Sequence, residues 1–121
     1  MSNSNKEISK PEIFGPGMWY SIHISAIKMG EEQFLNWVRI IISNIPCLKC
    51  KNHATEYLGQ NSPELYLNTY NQSGDLIGMF KWTWQFHNDV NKRLGKKILD
   101  YTTAYKMYTD ESVLCSSDCG N

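Results

Sequence analysis

An excess of charge of either sign is missing from this 121-residue sequence: 12 Lys and Arg face 12 Asp and Glu. A zero balance argues against a protein that lives on nucleic acid or on an anionic membrane. Long apolar runs are missing too. The longest aliphatic stretch is Ile40, Ile41 and Ile42, far short of the roughly 20 residues that cross a bilayer. The start, Met1 to Glu7, has no apolar core, so no secretory leader is expected and the cytosol is the default compartment. There is no Gly-x-Gly-x-x-Gly and no Walker loop, so any nucleotide is not held in a Rossmann or P-loop manner. A serine elbow and paired carboxylates of hydrolytic type are also absent. No segment alternates with period two, so strands are not expected.

What is present is helical patterning. Phe14, Gly15, Pro16 and Gly17 punctuate the approach to a first helix, in which Trp19, Ile22, His23, Ala26 and Ile27 share one face. Gly30 closes it. Glu31 and Glu32 then open a second helix, with Phe34, Leu35, Val38, Ile41, Ile42 and Ile45 as its buried stripe. Pro46 stops that helix, and Cys47 to Cys50 fall in the first turn of a third. Residues 64–74 read as a loop with at most a helical turn. Asp75 is expected to cap a long helix to about Leu94, with Met79, Trp82, Phe86 and Val90 inward. Gly95 ends it among Lys92, Arg93, Lys96 and Lys97. A short helix follows over about Tyr101–Tyr108. The expected architecture is all-α, a four-helix bundle with a short fifth helix. It divides into a polar tail (1–12), the folded domain (13–109) and a C-terminal tail (110–121).

Four cysteines in two close pairs are unexpected in a reducing compartment. Cys47 and Cys50 sit at a helix start, where backbone N–H groups and the dipole favour the thiolate. Three readings stay open at this point. The pair is redox-active; or it joins His53 and one of His87, Cys115 or Cys119 around zinc; or both are ordinary buried thiols. The three histidines each lie on a helix beside aromatics: His23 a turn from Trp19, His53 a turn from Cys50 and Tyr57, and His87 on a face with Asn91 and Leu94. Such faces could line one aromatic cavity for a flat heteroaromatic ligand, and the basic cluster could meet its diphosphate. A solvated helix end explains that cluster equally well.

Three blocks resemble the Erv/ALR family of FAD-linked sulfhydryl oxidases. Gly15-x3-Trp19-x2-Ile22-His23 looks like the family's Gly-x3-Trp-x2-Leu-His. Pro46-Cys47-x-x-Cys50 is similar to its Pro-Cys-x-x-Cys. His87-Asn88-x-Val90-Asn91-x-x-Leu94-Gly95-Lys96 matches its His-Asn-x-Val-Asn-x-x-Leu-Gly-Lys. The blocks run in the family's order over residues 14–109, and the chain looks most like the short members encoded by large DNA viruses.

The resemblance implies a helical bundle clasping FAD at one end, usually as a homodimer, in the host cytoplasm if viral, with packaging in virions left open. It implies that Cys50 lies against the flavin and Cys47 faces incoming thiols. Gly15 belongs to the cofactor motif. Trp19, His23, His53, Tyr57, His87, Asn88, Val90 and Asn91 are expected against the isoalloxazine or adenine. Lys92 and Lys96 are expected near the phosphates, with Lys97 not separable from Lys96, and Tyr108 near the adenine. Electrons would pass from reduced protein thiols through Cys47 and Cys50 to FAD and on to dioxygen, giving hydrogen peroxide. Cys115 and Cys119 resemble the family's shuttle pair, with a local structural disulfide or a disulfide between subunits as alternatives. Phe14 and Tyr101 depart from the pattern: relatives often carry Trp at the first, and cellular members a structural Cys at the second. The rivals are a zinc-stapled helical interaction module and a non-catalytic flavin-binding bundle.

Overall fold

Helix α1 (Pro11–Lys28) starts a full two turns before the sequence predicts. The computed structural model describes residues 9–110. Pro11 takes the first helical position, where a missing N–H costs nothing, and the Ile13 and Phe14 amides both bond to the Lys10 carbonyl. Gly15, Pro16 and Gly17 therefore lie inside the helix rather than before it. Pro16 forfeits one backbone bond there without ending the helix.

Gly30 caps α2 (Glu31–Ser43), whose first turn carries Glu31 and Glu32 at the positive end of the dipole. Phe34, Leu35, Val38 and Ile42 are buried as expected, and Ile41 is only half-buried. Asn44 ends α2 by returning its side-chain amide to the Ile40 carbonyl at 2.7 Å. Helix α3 (Leu48–Gln60) follows, buried at Ala54 and Tyr57, and a 3₁₀ turn spans Pro63–Tyr66.

The loop after it corrects one expectation. Asp75 does not cap the fourth helix. The Asn71 side chain takes the Asp75 backbone N–H at 2.9 Å, and Asn71 donates its own N–H to the Asp75 carbonyl at 2.9 Å. Tyr70 and Leu76 form an isolated antiparallel bridge across this turn, and Gly74 supplies its positive φ of 86°. Helix α4 (Gly78–Arg93) starts three residues later behind Ile77, with no side-chain cap.

Helix α4 is the core of the molecule. Phe80 and Trp82 have no exposed surface, and Met79, Thr83 and Phe86 are buried with them. The Trp82 indole N–H reaches the Asn61 carbonyl at 2.6 Å, so its polar atom is satisfied inside. Helix α1 packs along α4, α2 bridges α1 and α3, and α5 (Tyr101–Thr109) closes across α1 and α4. Gly95, at φ 73°, ends α4 with Gly95 N–H to Lys92 O and Lys96 N–H to Asn91 O, a Schellman closure. Asp100 caps α5 through the Thr103 N–H at 3.1 Å. Among the described residues there is no strand, and no helix is long and apolar enough to cross a membrane. The architecture is all-α: four main helices and a short fifth.

Gly78 is where the fold is least tolerant. A Cβ there would overlap the Tyr66 backbone carbonyl, whereas one at Gly59, near the end of α3, would meet nothing within 4 Å. Gly78→Ala should lower the unfolding free energy by about 2 kcal/mol or more through overpacking. Gly59→Ala should raise it by about 0.5 kcal/mol through backbone entropy and helix propensity. Denaturant melts of the two variants check this, and equal effects would contradict the packing described.

Candidate functional site

A cavity of about 1070 Å³ opens between α1, α3 and α4. From α1 it receives Phe14, Gly15 and Trp19; from α3, Cys50 and His53, with Cys47 at the cap; from α4, Phe86, His87, Val90 and Asn91; and beyond these Lys96 and Tyr108. Gly15 is buried, yet a Cβ on it would meet nothing within 4 Å, so a side chain there would fill space the cavity now uses. Trp19 and His87 form a flat platform, with ring centroids 3.9 Å apart and planes within 4°. Phe86 meets the Trp19 edge at 4.9 Å.

The cysteines hold opposite electrostatic positions. Cys47 is the N-cap of α3, and its sulfur accepts the Cys50 backbone N–H at 3.3 Å. Its thiol is held below the ordinary range, chiefly by a hydrogen bond from the Cys50 thiol and further by the Cys50 and Lys49 amides and the Lys49 charge. Burial pushes the Cys50 thiol up to about 11, aided by the proton it shares with Cys47 and by the charge there. The two sulfurs are thus unequal, with Cys47 the more acidic and Cys50 the less acidic.

Several expected residues do not reach the cavity. His23 is only 3% exposed and stands behind the platform, bonding His87 Nδ1 through its Nε2 at 2.9 Å. Burial, then the neighbouring His87, lowers its pKa to about 3. Burial and Lys96 lower that of His87 to about 4. Tyr57 supports the wall by stacking on Phe86 at 5.0 Å, and burial raises its hydroxyl to about 12. Asn88 points to the other side of α4. It gives its amide N–H to the Leu99 carbonyl at 2.9 Å and accepts the Leu99 N–H at 3.0 Å. Lys92 is not on the lining either; Arg93 and Lys96 are, and Lys97 is not. Helical phase explains this. From His87, positions 90, 91 and 94 return to one face, while 88 and 92 point elsewhere.

Lys49 and Tyr20 line the cavity beyond the contacts the sequence predicts, and Arg93 joins them from the basic cluster. Phe86 was read as core alone, yet it serves both core and cavity. For Arg93 the signal was there, in the basic cluster. For Tyr20 there was none, since it lies off the apolar face of α1. Cys115 and Cys119 lie outside the described residues. Among the described residues no three His, Cys, Asp or Glu side chains gather at metal-holding range, so Cys47, Cys50 and His53 do not converge as the zinc reading requires.

Comparison with known proteins places this arrangement. The chain is 33% identical over 114 residues to an FAD-linked sulfhydryl oxidase of African swine fever virus, covering 88% of each protein. It is 32% identical over 114 residues to a putative FAD-linked sulfhydryl oxidase of Invertebrate iridescent virus 6, covering 81% of this chain and 94% of that one. A counterpart from Invertebrate iridescent virus 3 is 28% identical over 105 residues, with 81% and 67% covered. The family model described as Erv1 / Alr matches residues 16–110, and with an aromatic cavity ending on a Cys-x-x-Cys helix cap, the chain belongs to the Erv1/Alr family.

Proposed function

We propose that this protein is an FAD-dependent thiol oxidase that forms disulfides in protein substrates. The observation that carries the reading is the cavity itself: a flat aromatic platform, basic side chains at its rim and a cysteine pair of unequal acidity on its wall. The residues present fit FAD. Trp19, His87 and Phe86 offer rings, Asn91 an amide, and Arg93 and Lys96 positive charge for a diphosphate. The volume lies just above the usual range for small-molecule sites, as a ligand the size of FAD requires. When bound, FAD would supply a two-electron acceptor for the cysteine pair and a route onward to dioxygen, giving hydrogen peroxide.

The chain supplies the exchange chemistry. A substrate thiolate attacks Cys47 of the Cys47–Cys50 disulfide, making a mixed disulfide and releasing Cys50. A second substrate thiolate then attacks the substrate sulfur of that bond. Cys47 leaves as a thiolate, which its helix cap and the Cys50 thiol stabilise; a low leaving-group pKa speeds this step. Cys50, released in the first exchange, takes up a proton that burial helps it hold. We assign Cys115 and Cys119 the role of passing substrate electrons to this pair, on their spacing alone. A homodimer fits the half-open apolar flank of α2, where Trp37 and Ile41 are half-buried and Ile40 is 58% exposed.

The purified protein should be yellow and consume oxygen when given dithiothreitol. Cys50→Ser should keep bound FAD and lose oxygen uptake by at least about a hundredfold, as removal of a covalent catalyst does. Uptake at the wild-type rate would sink the reading, and a colourless wild type would favour a module without catalysis. In the reduced protein at pH 8, iodoacetamide should label Cys47 first. In Cys47→Ser the remaining Cys50 should stay unlabelled until the pH approaches its raised pKa; mass spectrometry of timed samples reports both. Cys115→Ser with Cys119→Ser should spare dithiothreitol oxidation and slow that of a reduced protein; equal effects on the two substrates would exclude a shuttle.

A further inference from the structure

Behind the platform lies a chain of hydrogen bonds that the thiol chemistry does not use. Thr83 Oγ1 lies 2.7 Å from the Phe80 carbonyl oxygen and 2.9 Å from His23 Nδ1. His23 Nε2 lies 2.9 Å from His87 Nδ1. The proton on each atom follows from this geometry. A carbonyl has no proton to give, so Thr83 donates to Phe80; otherwise two oxygens would face each other at 2.7 Å with nothing between them. Thr83 has one proton, so it can only accept from His23, which therefore carries its hydrogen on Nδ1. Neutral His23 then has a bare Nε2, and His87 must donate to it from Nδ1. The proton of neutral His87 is thereby spent inward, and its Nε2 is left as a lone pair.

That lone pair is not sealed in the interior. No buried side-chain nitrogen or oxygen among the described residues lacks a partner, and His87 makes its hydrogen bond through Nδ1. In an imidazole the two nitrogens point in widely divergent directions. With Nδ1 aimed at the buried His23, Nε2 is turned toward the cavity that His87 lines. Both rings are kept neutral by burial, so the order is not undone by an extra proton near pH 7.

We propose that Thr83 and His23 are positioning residues that hold His87 with a bare Nε2 toward the cavity, so that the site selects a heteroaromatic ligand placing an N–H or O–H donor there. The proposal rests on the flavin reading for the identity of that ligand, FAD, and on the three bonds alone for the direction of the protons. Thr83 is fully buried, lies one helical turn before His87 and is not itself part of the cavity lining. Its effect on the ligand passes through two imidazoles.

The chain has only three histidines, so nitrogen-15 NMR of the imidazoles can assign each one in the full-length protein before and after FAD is added. Wild type should show protonated Nδ1 and bare Nε2 on both His23 and His87. Thr83→Val removes the hydroxyl at nearly constant volume and leaves the His23 Nδ1–H without an acceptor, the costlier kind of buried orphan. The order should then reverse. His23 carries its proton on Nε2, and His87 turns an Nε2–H toward the cavity. FAD should bind about tenfold more weakly, the scale of a neutral hydrogen bond replaced by two opposed donors, while Thr83→Ser keeps both the wild-type order and the wild-type affinity. A wild-type His87 protonated on Nε2 would overturn the proposal, as would Thr83→Val with the order and affinity unchanged. Wild-type protein with the protons placed as described but no uptake of FAD would overturn the flavin reading while upholding the acceptor wall.

Discussion

Two uncharged imidazoles hydrogen-bonded in the interior join α1 to α4, and the cavity depends on that join. His23 comes from α1 and His87 from α4, and they meet at 2.9 Å with Thr83 closing the inner end. If either ring were charged, burial would penalise it heavily, and if both were, their like charges would push the helices apart. The platform of Trp19 on His87 exists because His87 is fixed from behind. Aromatic packing of Phe86, Tyr57 and Trp82 then carries that rigidity to α3.

The cysteine pair also lines the cavity, with its two members in different surroundings. One sulfur serves as a helix cap and is surrounded by donors; the other faces burial. The hydrogen bond between them makes the first the more acidic sulfur and the second the less acidic. The division of labour we propose, between a thiol that meets partners and a thiol that faces a cofactor, rests on this local asymmetry.

Periodicity made much of the fold legible in the sequence. The inward residues of α4 and most of the stripe of α2 follow from it, because burial of an apolar face is what the period encodes. Two boundaries were not legible. Pro16 reads as part of the approach to the first helix, yet it lies inside that helix, which runs on with one backbone bond missing. Asp75 reads as a cap, yet the Asn71 side chain engages it in a turn first. The site was legible in kind but not in detail. The motif supplied His87, Asn91 and Cys50. It also suggested Asn88, which binds Leu99 instead, and Lys92, which lies off the cavity face. A motif is a line of letters, and the helix turns every letter by 100° from the last, so adjacent motif positions serve different surfaces. Thr83 carried no signal, because a threonine within a buried helical stripe looks like filler until its proton is traced.

The cap at Cys47 ties the oxidation level of the pair to the integrity of the helix it begins. As a thiolate, that sulfur is a strong acceptor for the Cys50 amide at the positive end of α3; bound into a disulfide, it is a poor one. Folding therefore stabilises the reduced form over the oxidised form, and by linkage the disulfide is driven toward a more oxidising potential. The first turn of α3 should accordingly be looser when the enzyme is charged with its bond and firmer once it has given the bond away.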